Sequence, residues 1–158
     1  AMGRLAWIST KAGASPQGTL QAQLQQLRQA QGKLAIAHPD HAPYGRAAVQ
    51  VLQKLGEWEA CKPHLVYGDN VAQAMQFAST GAAWGAITAL PLVNGRGGGF
   101  KGQVLAIDPQ WHEPLTQQMV ALKNAPVEAR LFLAHMQTDA VRQHLRAHGF
   151  GLPESRAR

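Results

Sequence analysis

Two strand-to-helix junctions constrain this chain more than any other feature of its 158 residues. Pro43-Tyr44-Gly45-Arg46 and Tyr67-Gly68-Asp69-Asn70-Val71-Ala72-Gln73-Ala74 each put a loop after a short apolar run and before an amphipathic helix. Strands that alternate with helices predict a layered α/β domain with a mostly parallel sheet flanked by helices, because parallel strands need a crossover and a helix supplies it. Ligands of such sheets sit beyond the carboxyl ends of strands, where loops enter helices. The loops at 38–44 and 68–71 both fall at that end. A helix start carries about half a unit of positive charge and several unpaired N–H donors, so two starts aimed at one spot suit a small anion.

The rest of the chain follows the same alternation. RLAWIS (4–9) predicts a strand, and the segment 11–18 a Gly/Ser/Pro loop. Leu20, Leu24 and Leu27 recur at helical spacing across 19–29, with glutamines on the other faces of a surface helix. Gly32 ends that helix before a short strand at 33–37, and the 38–43 loop holds two prolines. A helix from about Tyr44 to Leu55 turns Ala48, Val51, Leu52 and Leu55 inward and stops at Gly56. After a strand at 65–67, Asn70 suits the N-cap of a helix over 71–79 that turns Val71, Ala74, Met75 and Ala78 inward. Further strands are predicted at 84–88, 103–107 and 119–123, with a flexible loop at 94–102. Helices at 127–136 and 138–148 follow, the second capped by Thr138 and closed by Gly149.

Composition narrows the function classes. The net charge of +6 raises nucleic acid as a partner. Lys and Arg are scattered, however, and only Arg142, Arg146, Arg156 and Arg158 lie close together, so a solvated basic face explains them better. A single cysteine, Cys61, excludes an intramolecular disulfide framework. No apolar run approaches the roughly 20 residues of a membrane span. AMGRLAWIST lacks the pattern of a secretory signal, as a mature exported chain would too.

Several chemically suggestive clusters carry little. His38-Pro39-Asp40-His41 holds two imidazoles and a carboxylate, but no further metal ligand is placed near them. The glycine-rich run 95–102 lacks the Gly-Lys-Ser/Thr ending of a phosphate loop. His144 and His148 share a helical face without the glutamate of a zinc-protease helix, and suit a helix C-terminus instead. Neither a nucleophile with its base nor a carboxylate pair stands out, so no enzyme is expected.

In wording and spacing the chain resembles the second lobe of the periplasmic molybdate-binding proteins that feed ABC transporters. GRLAWIS resembles the strand that opens that lobe. KLAIAHPDHAPYGRAAVQVLQKLGEWE and LVYGDNVAQAMQFASTGAAWGAITAL resemble its two strand–loop–helix units, and AVRQHLRAHGF its closing helix. The resemblance implies one lobe of a type II periplasmic-binding-protein fold. It divides the chain into a ligand-binding lobe at 1–123, C-terminal helices at 124–150 and a frayed tail at 151–158. The serine-rich loop that begins the family's first lobe has no counterpart, so the chain is expected to carry half of the anion site. Its last two helices are expected to miss their usual partner, and to repack, dimerise or exchange between chains.

The resemblance also implies the site. The backbone N–H groups of Tyr44 and Val71 bind the oxyanion, molybdate and by its similar size tungstate, with no other cofactor. Pro43 and Gly45 hold the first amide outward, and Asn70 orients the second. Some family members use a tyrosine side chain where this chain has Thr88, whose shorter hydroxyl is a further candidate. The expected partner is a membrane permease and the expected compartment the periplasm. Two alternatives stay open: a ligand-sensing domain of a transcription regulator, and a binding protein for sulfate or another anion.

Overall fold

A computed structural model describes residues 1–11, 18–95 and 100–152. Strand β1 (Met2–Gly3) is followed by β2 (Leu5–Ser9), α1 (Leu20–Gln29), β3 (Leu34–Ala37) and α2 (Pro43–Lys54). Next come α3 (Trp58–Cys61), β4 (Leu65–Gly68), α4 (Val71–Ser79), β5 (Gly85–Ala89) and α5 (Leu90–Val93). The chain ends with β6 (Gln103–Ala106), β7 (Leu115–Thr116), α6 (Val127–His135) and α7 (Asp139–Ala147).

Five strands form one sheet in the order β4-β3-β5-β2-β6. β3 pairs in parallel with β4 and with β5, whereas β2 runs antiparallel to both β5 and β6. The sheet is therefore mixed: β4, β3, β5 and β6 point one way, and β2 points against them. Alternation along the strands sends side chains to opposite faces. Leu5 and Trp7 of β2, Leu34 and Ile36 of β3 and Ile87 of β5 join Leu20, Leu24 and Leu27 of α1 and Ala48, Val51 and Leu52 of α2 in one buried cluster. On the other face Ala6, Ile8, Ala35 and Ala86 meet Ala74 and Ala78 of α4 and Leu90 and Val93 of α5. The small residues on that face let α4 lie close to the sheet. α1 is thus a core helix along its leucine stripe. Gly56 ends α2 with a φ of 71°, a left-handed turn that favours glycine.

The helix ends expected at 19, 56, 70 and 149 hold. Thr19 accepts from the Ala22 N–H, and Gly149 closes α7. Thr138 stands at the N-cap of α7 but its hydroxyl donates to the His135 carbonyl instead of capping. The strand expected at 119–123 is absent: 117–122 has no regular structure. Met119, Val120 and Leu122 are exposed there, with no neighbouring strand to complete a ladder. The strand of this region lies earlier, at β7, which pairs antiparallel with β1 in a two-stranded ribbon. Met2 also exchanges two backbone hydrogen bonds with Gly151, at 2.7 and 2.8 Å. The chain therefore stays paired through Gly151, where the tail was expected to begin fraying. Most of the 11–18 loop, the centre of the 94–102 loop and the tail from 153 lie outside the described residues.

The end of the chain contrasts with the sheet. No residue of α6 or α7 is buried. Val127, Leu131 and Phe132 of α6 are exposed. Phe132 and Leu133 of α6, with Met119, Val120, Leu122 and Pro126, border an apolar hollow of about 660 Å³. No described helix is long and apolar enough to cross a membrane.

Leu24 is fully enclosed between α1 and the sheet. Leu24→Ala is expected to cost about 2–5 kcal/mol through lost burial and an unfilled cavity, read as a lower urea midpoint at an unchanged slope.

Candidate functional site

Both junctions leave the sheet from the carboxyl ends of neighbouring strands. The β3–β4 register runs from Leu34 opposite Leu65 to Ala37 opposite Gly68. It continues one step further, where the His38 N–H donates to the Gly68 carbonyl at 2.8 Å. Parallel strands lie about 5 Å apart, so α2 and α4 begin from adjacent points at one end of the sheet.

At the first junction Pro43 occupies the first helical position, where its missing N–H removes no helix bond. The N–H groups of Gly45 and Arg46 both donate to the Ala42 carbonyl, at 2.9 and 3.1 Å. Tyr44 lies between Pro43 and these two, and its N–H has no acceptor among the described residues. Gly45 lets the helix press against the strand end. A Cβ there would collide with the Ala37 carbonyl oxygen and stand 2.9 Å from the His38 carbonyl carbon. The Tyr44 ring lies over Gly3 of the β1–β7 ribbon, where a Cβ would meet its hydroxyl. Burial pushes the Tyr44 hydroxyl up from its ordinary pKa. The ring is committed to the ribbon, and what Tyr44 leaves open at the sheet end is its amide.

The second junction is capped more fully. Asn70 is extended, and its Oδ1 accepts from the Ala72 and Gln73 N–H groups, both at 3.0 Å. The Gln73 side chain reaches back and accepts from the Asp69 N–H at 2.6 Å. This resembles a capping box in the spacing Asn70-x-x-Gln73, but Gln73 reaches one residue past the N-cap and leaves the Asn70 N–H itself unbonded. The Asn70 carbonyl accepts from the Ala74 N–H at 3.1 Å. The amides of Asn70 and Val71 have no acceptor among the described residues. Sequence reasoning picked out the Val71 amide and missed that of Asn70, because the N-cap was read only for its side chain. Thr88, fully buried in β5, donates its hydroxyl to the Val71 carbonyl at 2.8 Å.

Five of the six residues singled out in the sequence therefore stand at two adjacent helix starts, and the sixth, Thr88, reaches the second of them from β5. The open donors are neutral amides at positive helix ends, an arrangement that holds a compact anion without a salt bridge. Arg46, in the first turn of α2, is exposed, and its guanidinium donates to the Pro39 carbonyl at 3.5 Å.

The histidine clusters make local contacts. The rings of His38 and His41 stack at 4.8 Å, and His38 lies 5.0 Å from Tyr67. No group of three or more potential metal ligands gathers among the described residues. His148 is hydrogen-bonded to the His144 carbonyl at the C-terminal end of α7. Cys61 is buried beside Arg28, which pairs with Glu57. Burial pushes the Cys61 thiol up, and the Arg28 charge offsets only part of that, so it is a poor nucleophile.

A family model of bacterial extracellular solute-binding proteins matches residues 2–151. The chain belongs to this family. Membership of a solute-binding family implies a binding role, which a site of amides can serve. The chain is 38% identical over 120 residues to the molybdate-binding protein ModA of Rhodobacter capsulatus. It is 39% identical over 122 residues to that of Azotobacter vinelandii. These matches take in 74% and 75% of this chain but 46% and 48% of the relatives. The chain thus spans about half the length of the curated relatives it matches. The solved structure of the Azotobacter vinelandii periplasmic molybdate-binding protein aligns with a TM-score of 0.75 at 26% identity, over 98% of this chain and 67% of that one. The L-phospholactate-bound PEB3 structure aligns at 0.72 over 97% and 67% of the two chains with 14% identity, a likeness of fold alone.

Two consequences of this geometry are measurable. Gly45→Ala forces α2 off the end of β3 and is expected to cost about 1–3 kcal/mol, with a shifted Tyr44 amide resonance. The raised Tyr44 pKa favours the native state while the hydroxyl keeps its proton. That contribution is complete below the unfolded value of 10.0 and is lost as pH rises through the folded one. The difference in unfolding free energy between the protein and Tyr44→Phe should therefore be constant at neutral pH and shrink in alkaline buffer.

Proposed function

We propose that this chain is the second lobe of a periplasmic molybdate-binding protein of an ABC importer, and that it supplies half of the oxyanion site. The carrying observation is the pair of open amides, Tyr44 and Val71, at two helix starts that leave adjacent parallel strands. The two ModA relatives, named for molybdate binding and matched across about three quarters of this chain, support that ligand.

Molybdate is a tetrahedral dianion. An importer's binding protein has to take it out of water and later surrender it. Neutral N–H donors at helix ends stabilise the dianion without the fixed counter-charge that would slow release. Pro43 and Gly45 set the first amide, and Asn70 sets the second. Tungstate, similar in size and charge, would bind alike. Sulfate has shorter bonds and is rejected only by a cage closed on all sides. The missing donors would come from a first lobe, on which the exposed apolar faces of α6 and 119–126 would pack. Closure of two lobes would then complete the cage, and a membrane permease would receive the anion. No covalent step is involved.

Titration of molybdate into the isotope-labelled 158-residue chain tests this proposal. The amide resonances of Tyr44 and Val71 should shift, with a dissociation constant in the millimolar range and little preference over sulfate. Shifts confined to other residues would overturn the site. Micromolar or tighter affinity of the monomeric chain would overturn the half-site.

A further inference from the structure

We infer that Thr88 is a positioning residue of the anion site, acting through the Val71 peptide, and not a ligand. The inference rests on the oxyanion reading above.

The argument starts from the peptide groups around Val71. The unit joining Val71 to Ala72 has a carbonyl at one end and an N–H at the other. Thr88 Oγ1–H holds the carbonyl at 2.8 Å, and Asn70 Oδ1 holds the N–H at 3.0 Å. The preceding unit, joining Asn70 to Val71, is held at its carbonyl by the Ala74 N–H at 3.1 Å. Its other end, the Val71 N–H, is open. Both planes that flank the Val71 Cα are therefore anchored, and the open amide has one direction left to it.

The anchors come from different parts of the fold. Asn70 and Ala74 belong to α4 and its cap, so by themselves they only make a good helix start. Thr88 belongs to β5, where it pairs opposite Ala6 in the middle of the sheet. Its hydroxyl is thus the side-chain bond that ties the direction of the Val71 peptide to the sheet, and through β3 to the neighbouring junction at Tyr44.

A ligand role fails on proton count. A hydroxyl has one proton to donate, and molybdate at neutral pH accepts without donating. The Thr88 proton is already given to Val71, and the residue is fully buried. Turning it to the anion would leave the Val71 carbonyl with its helical bond alone and free the Val71–Ala72 plane, next along the chain from the peptide whose N–H does the binding. Valine has nearly the same shape and suits a buried strand at least as well, so what distinguishes threonine here is the bond to α4.

Thr88→Val and Thr88→Ser separate these roles, with amide resonances and hydrogen exchange recorded with and without molybdate. Thr88→Val should weaken molybdate binding about fivefold, the effect of one lost neutral hydrogen bond. In the ligand-free protein it should also move the Val71 and Ala72 amide resonances and speed their exchange. Thr88→Ser keeps the donor and should restore both readouts. Thr88→Ala, which introduces no strain, takes the place of Thr88→Val should that variant not fold. Unchanged affinity in Thr88→Val, or unchanged Val71 and Ala72 resonances, overturns the positioning role while the anion reading stands. So does a Thr88→Ser variant that binds no better than Thr88→Val. Silence of the unsubstituted protein toward molybdate overturns both at once.

Discussion

The in-register parallel pairing of β3 with β4 is the constraint on which the rest of this molecule depends. It brings Ala37 opposite Gly68, and with them the two loops that open α2 and α4. A slip by one residue would turn every side chain of β4 to the opposite face and carry the second helix start away from the first. The pairing is protected from both sides. Leu34 and Ile36 are sealed beneath α1 and α2, and Ala35 lies beneath α4. The apolar core thereby sets the distance between two groups of polar backbone atoms that it does not contain.

The strands and helices of the sheet region were legible because each carries its own periodicity. The leucine stripe of α1, the Gly56 stop and the Asn70 cap all act within a few residues of the chain. What escaped notice depends on contacts distant in sequence. β1 and β7 are two residues each and exist only because they pair across more than a hundred positions. Conversely, 119–123 is apolar enough to read as a strand and has no partner strand to make it one. The antiparallel course of β2 is equally invisible locally, since a strand buried on both faces looks alike in either direction.

The contrast between the two ends of the chain follows from the same physics. The sheet buries its apolar residues on both faces, while α6 and the segment before it leave Met119, Val120, Leu122, Leu131 and Phe132 exposed. Soluble domains seldom leave apolar groups of that extent against water. The chain also spans about half the length of its curated relatives. On the proposal that a first lobe completes the anion site, this exposed surface is where that lobe would pack. In that arrangement the unfilled half of the cage and the uncovered helix face are satisfied together.

A site made of backbone amides is hidden in sequence in a particular way. Every residue has an amide, so no residue type marks the ligand. The marks fall instead on residues that shape the backbone nearby. Pro43 removes a donor that would otherwise compete, Gly45 lets a helix meet a carbonyl, and Asn70 takes two amides out of contention so that a third stays free. These local devices could be found by reading along the chain. Thr88 could be placed near the site, but not given its role, because its partner is a carbonyl 17 positions away across the fold. A hydroxyl that could point at an anion and one that holds the peptide next to the open amide are the same letter. Only the direction of a single O–H bond separates them, and that direction is set by the packing of β5 against α4.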